Sequence, residues 1–137
     1  MSTDTINWDD AEQIEVPQGA YIGWGKPGQV VVGTVVSYSD NGGEDFNKQP
    51  CPLLSLELLA DCDSYREKGT KRETLSKGER VVINAGQHNL KKALLEATPR
   101  PTDKIRIEFT EEVALKGGNS VKKFGVKIVR GDGNPWN

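Results

Sequence analysis

A single histidine, His88, and two cysteines, Cys51 and Cys62, are all the imidazole and thiol this 137-residue sequence holds. No Cys-x-x-Cys pair is present, so no common zinc ligand set can be assembled. If the run between the cysteines is one strand, its ends lie roughly 35 Å apart, far beyond the ~6 Å that a disulfide tolerates. Both are read as reduced structural thiols. Also missing is any apolar stretch near the roughly 20 residues of a membrane span. The first residues, MSTDTINWDDAEQ, are acidic where a signal peptide would be basic and then apolar. The expectation is a soluble protein with no membrane partner, cytoplasmic, or in the host cytoplasm if viral. Its length suits one domain with a real core and disfavours a two-domain enzyme.

Enzymatic motifs are missing too. The sequence has no GxSxG elbow, no GxxxxGK[ST] phosphate loop and no HExxH helix. Any triad would have to be built on His88, which falls in the first turn of a predicted helix and reads as a solvated surface residue. The carboxylate pairs Asp9-Asp10, Glu44-Asp45 and Glu111-Glu112 lie in tails, loops or strand ends, where adjacent acids are ordinarily solvated. Gly23-x-Gly25-x-x-Gly28 spells a dinucleotide fingerprint, but it precedes a strand instead of following one and opening a helix. The expectation is a non-enzyme that needs no cofactor and no metal.

What the sequence does have is a division of charge. The net charge is −2, yet residues 1–63 carry 11 acidic side chains against Lys26 and Lys48 alone, near −9. Residues 64–130 carry 16 basic against 8 acidic, which is +8. A polyanionic partner responds to the local field and not to the whole-chain sum, so a mildly acidic pI does not exclude one.

Periodicity organises the chain into five apolar runs and one helix. Residues 1–20 form an acidic arm without a basic residue; residues 21–130 form the domain, and 131–137 a short tail. After the aromatic and glycine-rich lead-in AYIGWGKPGQ, residues 20–29, the β-branched run VVVGTVVSY predicts a strand over 30–38, with Gly33 marking a bend or bulge. Residues 39–50 read as a long polar loop. PLLSLELLA, residues 52–60, alternates Leu54, Leu56 and Leu58 against Ser55 and Glu57 and predicts a second strand, with helix as the competing reading. Residues 61–78 read as another long polar loop, and ERVVINA, residues 79–85, as the third strand. QHNLKKALLEA, residues 87–97, puts Leu90, Ala93, Leu94 and Ala97 on one helical stripe stopped by Pro99 and Pro101. Finally DKIRIEFTEE, residues 103–112, and VKKFGVKIVR, residues 121–130, predict a hairpin with Ile105, Ile107, Phe109, Phe124, Val126 and Ile128 inward.

The order β-β-β-α-β-β, all-β with one short helix, is that of the five-stranded OB-fold barrel. An SH3-like barrel or a sandwich is the alternative. A barrel that grips single strands needs cations along the phosphates and exposed rings on which bases stack. Lys104, Arg106, Lys123 and Lys127 are expected on the outer face of the last two strands, with Lys116 and Lys122 flanking their turn. Arg66, Lys68, Lys71, Arg72 and Lys77 crowd the loop before the third strand, whose outer face carries Arg80 and Asn84; Lys26 lies in the lead-in. Among the rings, Tyr21, Tyr38, Phe46 and Tyr65 are stacking candidates, and Trp24 suits stacking and plugging the barrel end equally. Trp8 and Trp136 sit in the two termini.

The succession VVVGTVVSY, PLLSLELL, ERVVINAGQHNLKKALLEATPRPTDKIRIEF and KKFGVKIVR resembles small OB-fold single-stranded-DNA-binding proteins of bacteriophages, particularly of actinobacterial hosts, over residues 20–130. The resemblance implies sequence-tolerant coating of single-stranded DNA in replication or recombination, with strand-face cations and loop aromatics in contact. Replication or recombination proteins and a second copy of the chain are further partners it leaves open. One departure is plain: many such proteins end in an acidic recruiting tail, whereas this chain ends GDGNPWN and has its acidic segment at the amino terminus. Two rival readings stand beside it: a protein-interaction or structural module of a phage, whose working surface would be the acidic first 63 residues, and an RNA-binding OB protein, which would use the same residues as the DNA reading.

Overall fold

The computed structural model describes residues 19–66 and 70–131. Strand β1 (Ala20–Tyr21) is followed by β2 (Val30–Glu44), β3 (Pro50–Leu58), β4 (Cys62–Arg66), β5 (Lys71–Leu75) and β6 (Arg80–Asn84), then α1 (His88–Ala97), β7 (Lys104–Ala114) and β8 (Ser120–Val129). Six strands form one sheet in the order β1-β6-β3-β2-β7-β8, and β4 and β5 form a separate two-stranded ribbon. Every ladder is antiparallel except β1 with β6.

Alternation decides what is inside. Leu54, Leu56 and Leu58 of β3, Val81 and Ile83 of β6, Ile105, Ile107 and Phe109 of β7 and Val31 and Val35 of β2 are buried on one face of the sheet. Leu90 and Leu94 of α1 join them, and Phe124, Val126 and Ile128 of β8 pack against the cluster. Each aliphatic side chain so placed contributes about 1.5–3 kcal/mol relative to exposure, so this alternating set outweighs every polar contact in the molecule. The leucine run 52–60 is strand, not helix, because its period is two.

Helix α1 ends where the sequence directs. Thr98 turns left-handed at φ 42° and returns its N–H to the Leu94 carbonyl. Arg130, just beyond β8, donates to the Ala97 and Thr98 carbonyls and to Asp103. Burial opposes ionisation of Asp103, but the amides of Arg100 and Gly131 together with Arg130 outweigh it and hold the carboxyl below its ordinary range. Tyr38 on β2 donates its hydroxyl to the Leu94 carbonyl at 3.1 Å, tying the sheet to the helix.

Three expectations are corrected. First, there is no closed five-stranded barrel: β1 occupies the free edge of β6, and no ladder joins β8 to β6 among the described residues. The lead-in fills the seam with side chains instead. Trp24 meets Phe124 edge to face at 5.2 Å, and Lys122 Nζ donates to the Trp24 carbonyl at 2.6 Å. Second, residues 61–78 are not a simple loop, because β4 and β5 pair from Cys62↔Leu75 to Arg66↔Lys71. Four of the five β5 residues are exposed, so the ribbon has no apolar face for periodicity to reveal. Third, residues 39–50 continue β2 to Glu44 through register shifts between Val35 and Ser37 and between Ser39 and Gly43. Gly33 itself carries no bulge: it is in register with both Leu58 and Ile105, and a Cβ there would lie 2.9 Å from the Glu57 carbonyl oxygen, so the glycine permits close strand approach.

Cys51 and Cys62 are free and buried. Burial, with neighbouring Asp63, pushes the Cys62 thiol up to about 11 and keeps it unreactive. No helix among the described residues is long and apolar enough to cross a membrane.

Candidate nucleic-acid interface

Because Leu54, Leu56, Val81 and Ile83 face inward, their neighbours lie on the second face of the sheet. Register aligns Tyr21, Val82 and Ser55 in one row of this second face, where Val82 and Ser55 are themselves buried and only Tyr21 is exposed, with Asn84 and Leu53, both partly buried, in the next row and the exposed Arg80 and Glu57 on the other side. The extension of β2 reaches the Asn84 end of this face and borders an open pocket of about 550 Å³. Tyr21, Leu53, Pro50 and Asn84 line it from the sheet, and Asn41 to Glu44 with Lys48 line it from the extension.

The end of β2 is paired with β3 at Gly43↔Cys51 and Glu44↔Pro50, and a side chain of β6 adds a further strand-like partner. Asn84 Oδ1 accepts the Glu44 amide at 3.2 Å, and Asn84 Nδ2 donates to the Glu44 carbonyl at 3.0 Å, the pair of bonds a ladder residue would make. A Cβ on Gly43 would lie 2.0 Å from Asn84 Oδ1, so only glycine permits this bracing. Asp45 then fixes the turn 45–49: its Oδ1 accepts the amides of Asn47 and Gln49, each at 2.9 Å, and its Oδ2 pairs with Lys91 of α1 at 3.2 Å. The Gln49 amide first, with help from Lys91 and Asn47, keeps this carboxyl below its usual range. At the tip of this braced turn Phe46 is 100% exposed. Lys48 beside it holds φ at 59°, a left-handed conformation that a lysine adopts only at a cost.

On the opposite rim Tyr21 is half exposed, and its carbonyl accepts Arg66 Nη2 at 3.2 Å. That contact ties the sheet face to the ribbon, where Lys71 and Arg72 are exposed and Arg72 pairs with Asp63 at 3.2 Å. Arg80 shares the outward face of β6 with Asn84, as its parity predicts. Of the predicted site residues Tyr21 lines the pocket and Phe46 lies in sequence between its lining residues Glu44 and Lys48, whereas Arg80 borders a separate pocket with Gly19, Ala20, Leu75 and Glu79, and Lys71 and Arg72 are on the ribbon.

The other candidates lie elsewhere. Arg106 and Lys127 are cross-strand partners with Lys104 two residues away, a separate basic patch on β7 and β8 where Arg106 also pairs with Glu108 at 3.1 Å. Lys123 pairs with Glu111 at 3.5 Å. Lys26 sits 5.7 Å over the Tyr65 ring. Three candidates are structural. Trp24 is only 3% exposed and offers no face to a base. Lys122, bonded to the Trp24 carbonyl, also lies 5.6 Å over the Phe109 ring. Tyr38 packs on the core, and its burial, with the nearby Asp40 charge, raises the phenol pKa further. Asn41, Glu44 and Lys48 were not among the predicted site residues: Glu44 is legible in the sequence only as half of the Glu44-Asp45 pair, and no local pattern brings this polar stretch to Asn84 of β6.

No protein-family model, curated protein or solved structure matches this chain. Its chemistry must come from the surface itself: a fully exposed ring on a braced turn, a pocket lined by the half-exposed Tyr21 ring and by Lys48, and exposed cations on β5 and β6. Such a surface can stack planar groups, neutralise phosphates and accept or donate hydrogen bonds.

Proposed function

We propose that this chain is a non-enzymatic, OB-type protein that binds single-stranded DNA without strong sequence preference, coating it during replication or recombination. Setting β1 aside, the sheet order β6-β3-β2-β7-β8 is strand order 3-2-1-4-5, with the helix between the third and fourth strands, which is consistent with a partly open OB barrel carrying a ribbon insertion. In such a barrel the face of the second and third strands, here β3 and β6, with the loop between the first and second strands, is where oligonucleotides lie. The observation that carries the reading is Phe46, fully exposed on a turn that Asp45 holds from three sides. A ring with no packing role, carried on a turn whose backbone is braced, suits base stacking.

The test is a fluorescence titration with oligo-dT across a range of salt. Binding should weaken steeply, each neutralised phosphate adding about −0.7 to the log-log slope. Absent or salt-insensitive binding would refute the reading, and tighter binding of oligo-U would move it to RNA. In the same titration Lys48→Gly should make the slope shallower by about 0.7, the share of one phosphate. Its melting temperature should hold, because relief of roughly 1 kcal/mol of left-handed strain offsets the 0.5–1 kcal/mol entropic cost of glycine.

A further inference from the structure

Glu44 is out of place in a groove that is to hold a polyanion. Its backbone is fixed by both arms of the Asn84 amide, and its residue lines the pocket beside Tyr21, Asn41 and Lys48. Its side chain is exposed, and both of its hydrogen bonds to Asn84 are made by its backbone, which leaves the carboxylate open to a ligand. A carboxylate repels phosphate, so a strand entering here must turn its backbone toward Lys48 and a base toward Glu44. Carboxylates recognise bases by accepting hydrogen bonds from their donor groups.

The four bases differ sharply in what they offer. Guanine presents two adjacent donors, N1–H and the N2 amino group, which match the two oxygens of one carboxylate. Cytosine and adenine each present one amino group next to a ring nitrogen that is an acceptor and repels the second oxygen. Thymine presents one N–H between two carbonyls. We infer that the pocket beside the β2 extension is a guanine subsite, in which Glu44 accepts from N1–H and N2–H while the Tyr21 ring supplies a stacking face. The inference rests on the single-strand reading and deepens it, giving one preferred nucleotide within an otherwise tolerant track.

The test is a competition measured by fluorescence anisotropy with dT oligomers within the ~4–16 nucleotides one OB fold covers. One set is all dT, and the others carry a single central dG, dC or dI. The dG oligomer should bind about tenfold more tightly than all dT, at the lower end of what a bidentate base contact discriminates. The dI oligomer, which keeps N1–H and lacks the amino group, should lose most of that gain. Glu44→Gln should bring dG and dT oligomers to equal affinity and strengthen dT binding, because the repelling charge is gone. Equal binding of dG and dT by the natural chain, with dT binding intact, would overturn the subsite and leave the single-strand reading standing. A dG preference that survives Glu44→Gln would likewise overturn the assignment. Failure to bind any oligomer would overturn the reading beneath it.

Discussion

Replacing Phe46 by alanine is expected to weaken oligo-dT binding by about 1–3 kcal/mol, roughly tenfold to a hundredfold, and to leave the melting temperature unchanged. The two halves of that expectation have one cause. A ring that is 100% exposed contributes no burial to folding, so its removal opens no cavity. The backbone that carries the ring loses little freedom on binding, because the turn is already fixed by the Asn47 and Gln49 amides on Asp45 and by Lys91 from the helix, so only the ring's own rotamers remain to be ordered. Pre-organisation of this kind keeps the backbone's ordering cost out of the binding step. Phe46→Trp should retain affinity, since stacking needs a flat face and not a particular ring. An Ala variant that binds oligo-dT as tightly as the natural chain would remove Phe46 from the interface and, with it, the observation on which the function rests.

The fold was legible wherever burial imposed a period. The alternation of Leu54, Leu56 and Leu58 and of Ile105, Ile107 and Phe109 gave the core face directly, and the stripe from Leu90 to Ala97 gave a helix that begins one residue later than expected. Where neither face of a strand is apolar, the period vanishes. That is why β5, with Lys71 to Thr74 all exposed, and the end of β2 beyond Tyr38 were read as loops. The candidate site shared this blindness, because it is assembled by Asn84, whose side chain mimics a strand partner for a segment 40 residues earlier. No local pattern announces such a contact. Lys122 is different. The parity that turns Phe124, Val126 and Ile128 inward turns Lys122 inward too, and its half-buried ammonium on the Trp24 carbonyl follows from a rule already in use.

That buried junction sets the largest expected loss of stability. Trp24→Ala should destabilise the fold by about 3–5 kcal/mol, the cost of truncating a fully packed aromatic, and lower the melting temperature by roughly 10–20 °C. Among the described residues no ladder closes the seam of the sheet, and the indole wedged edge-on against Phe124, itself stacked on Phe109 at 5.3 Å, supplies packing there. The Lys122 bond goes to the backbone carbonyl and survives the substitution, but it loses the ring that shields it from water. Trp24→Phe should be far milder: the indole Nε1 is buried with no hydrogen-bond partner, so the smaller ring gives up volume and removes an unsatisfied donor at the same time. Measured well below the melting point, oligo-dT affinity of the alanine variant should match that of the natural chain. The opposite result, a melting temperature that holds while affinity falls by 1–3 kcal/mol, would mean that the ring leaves the seam to stack on a base.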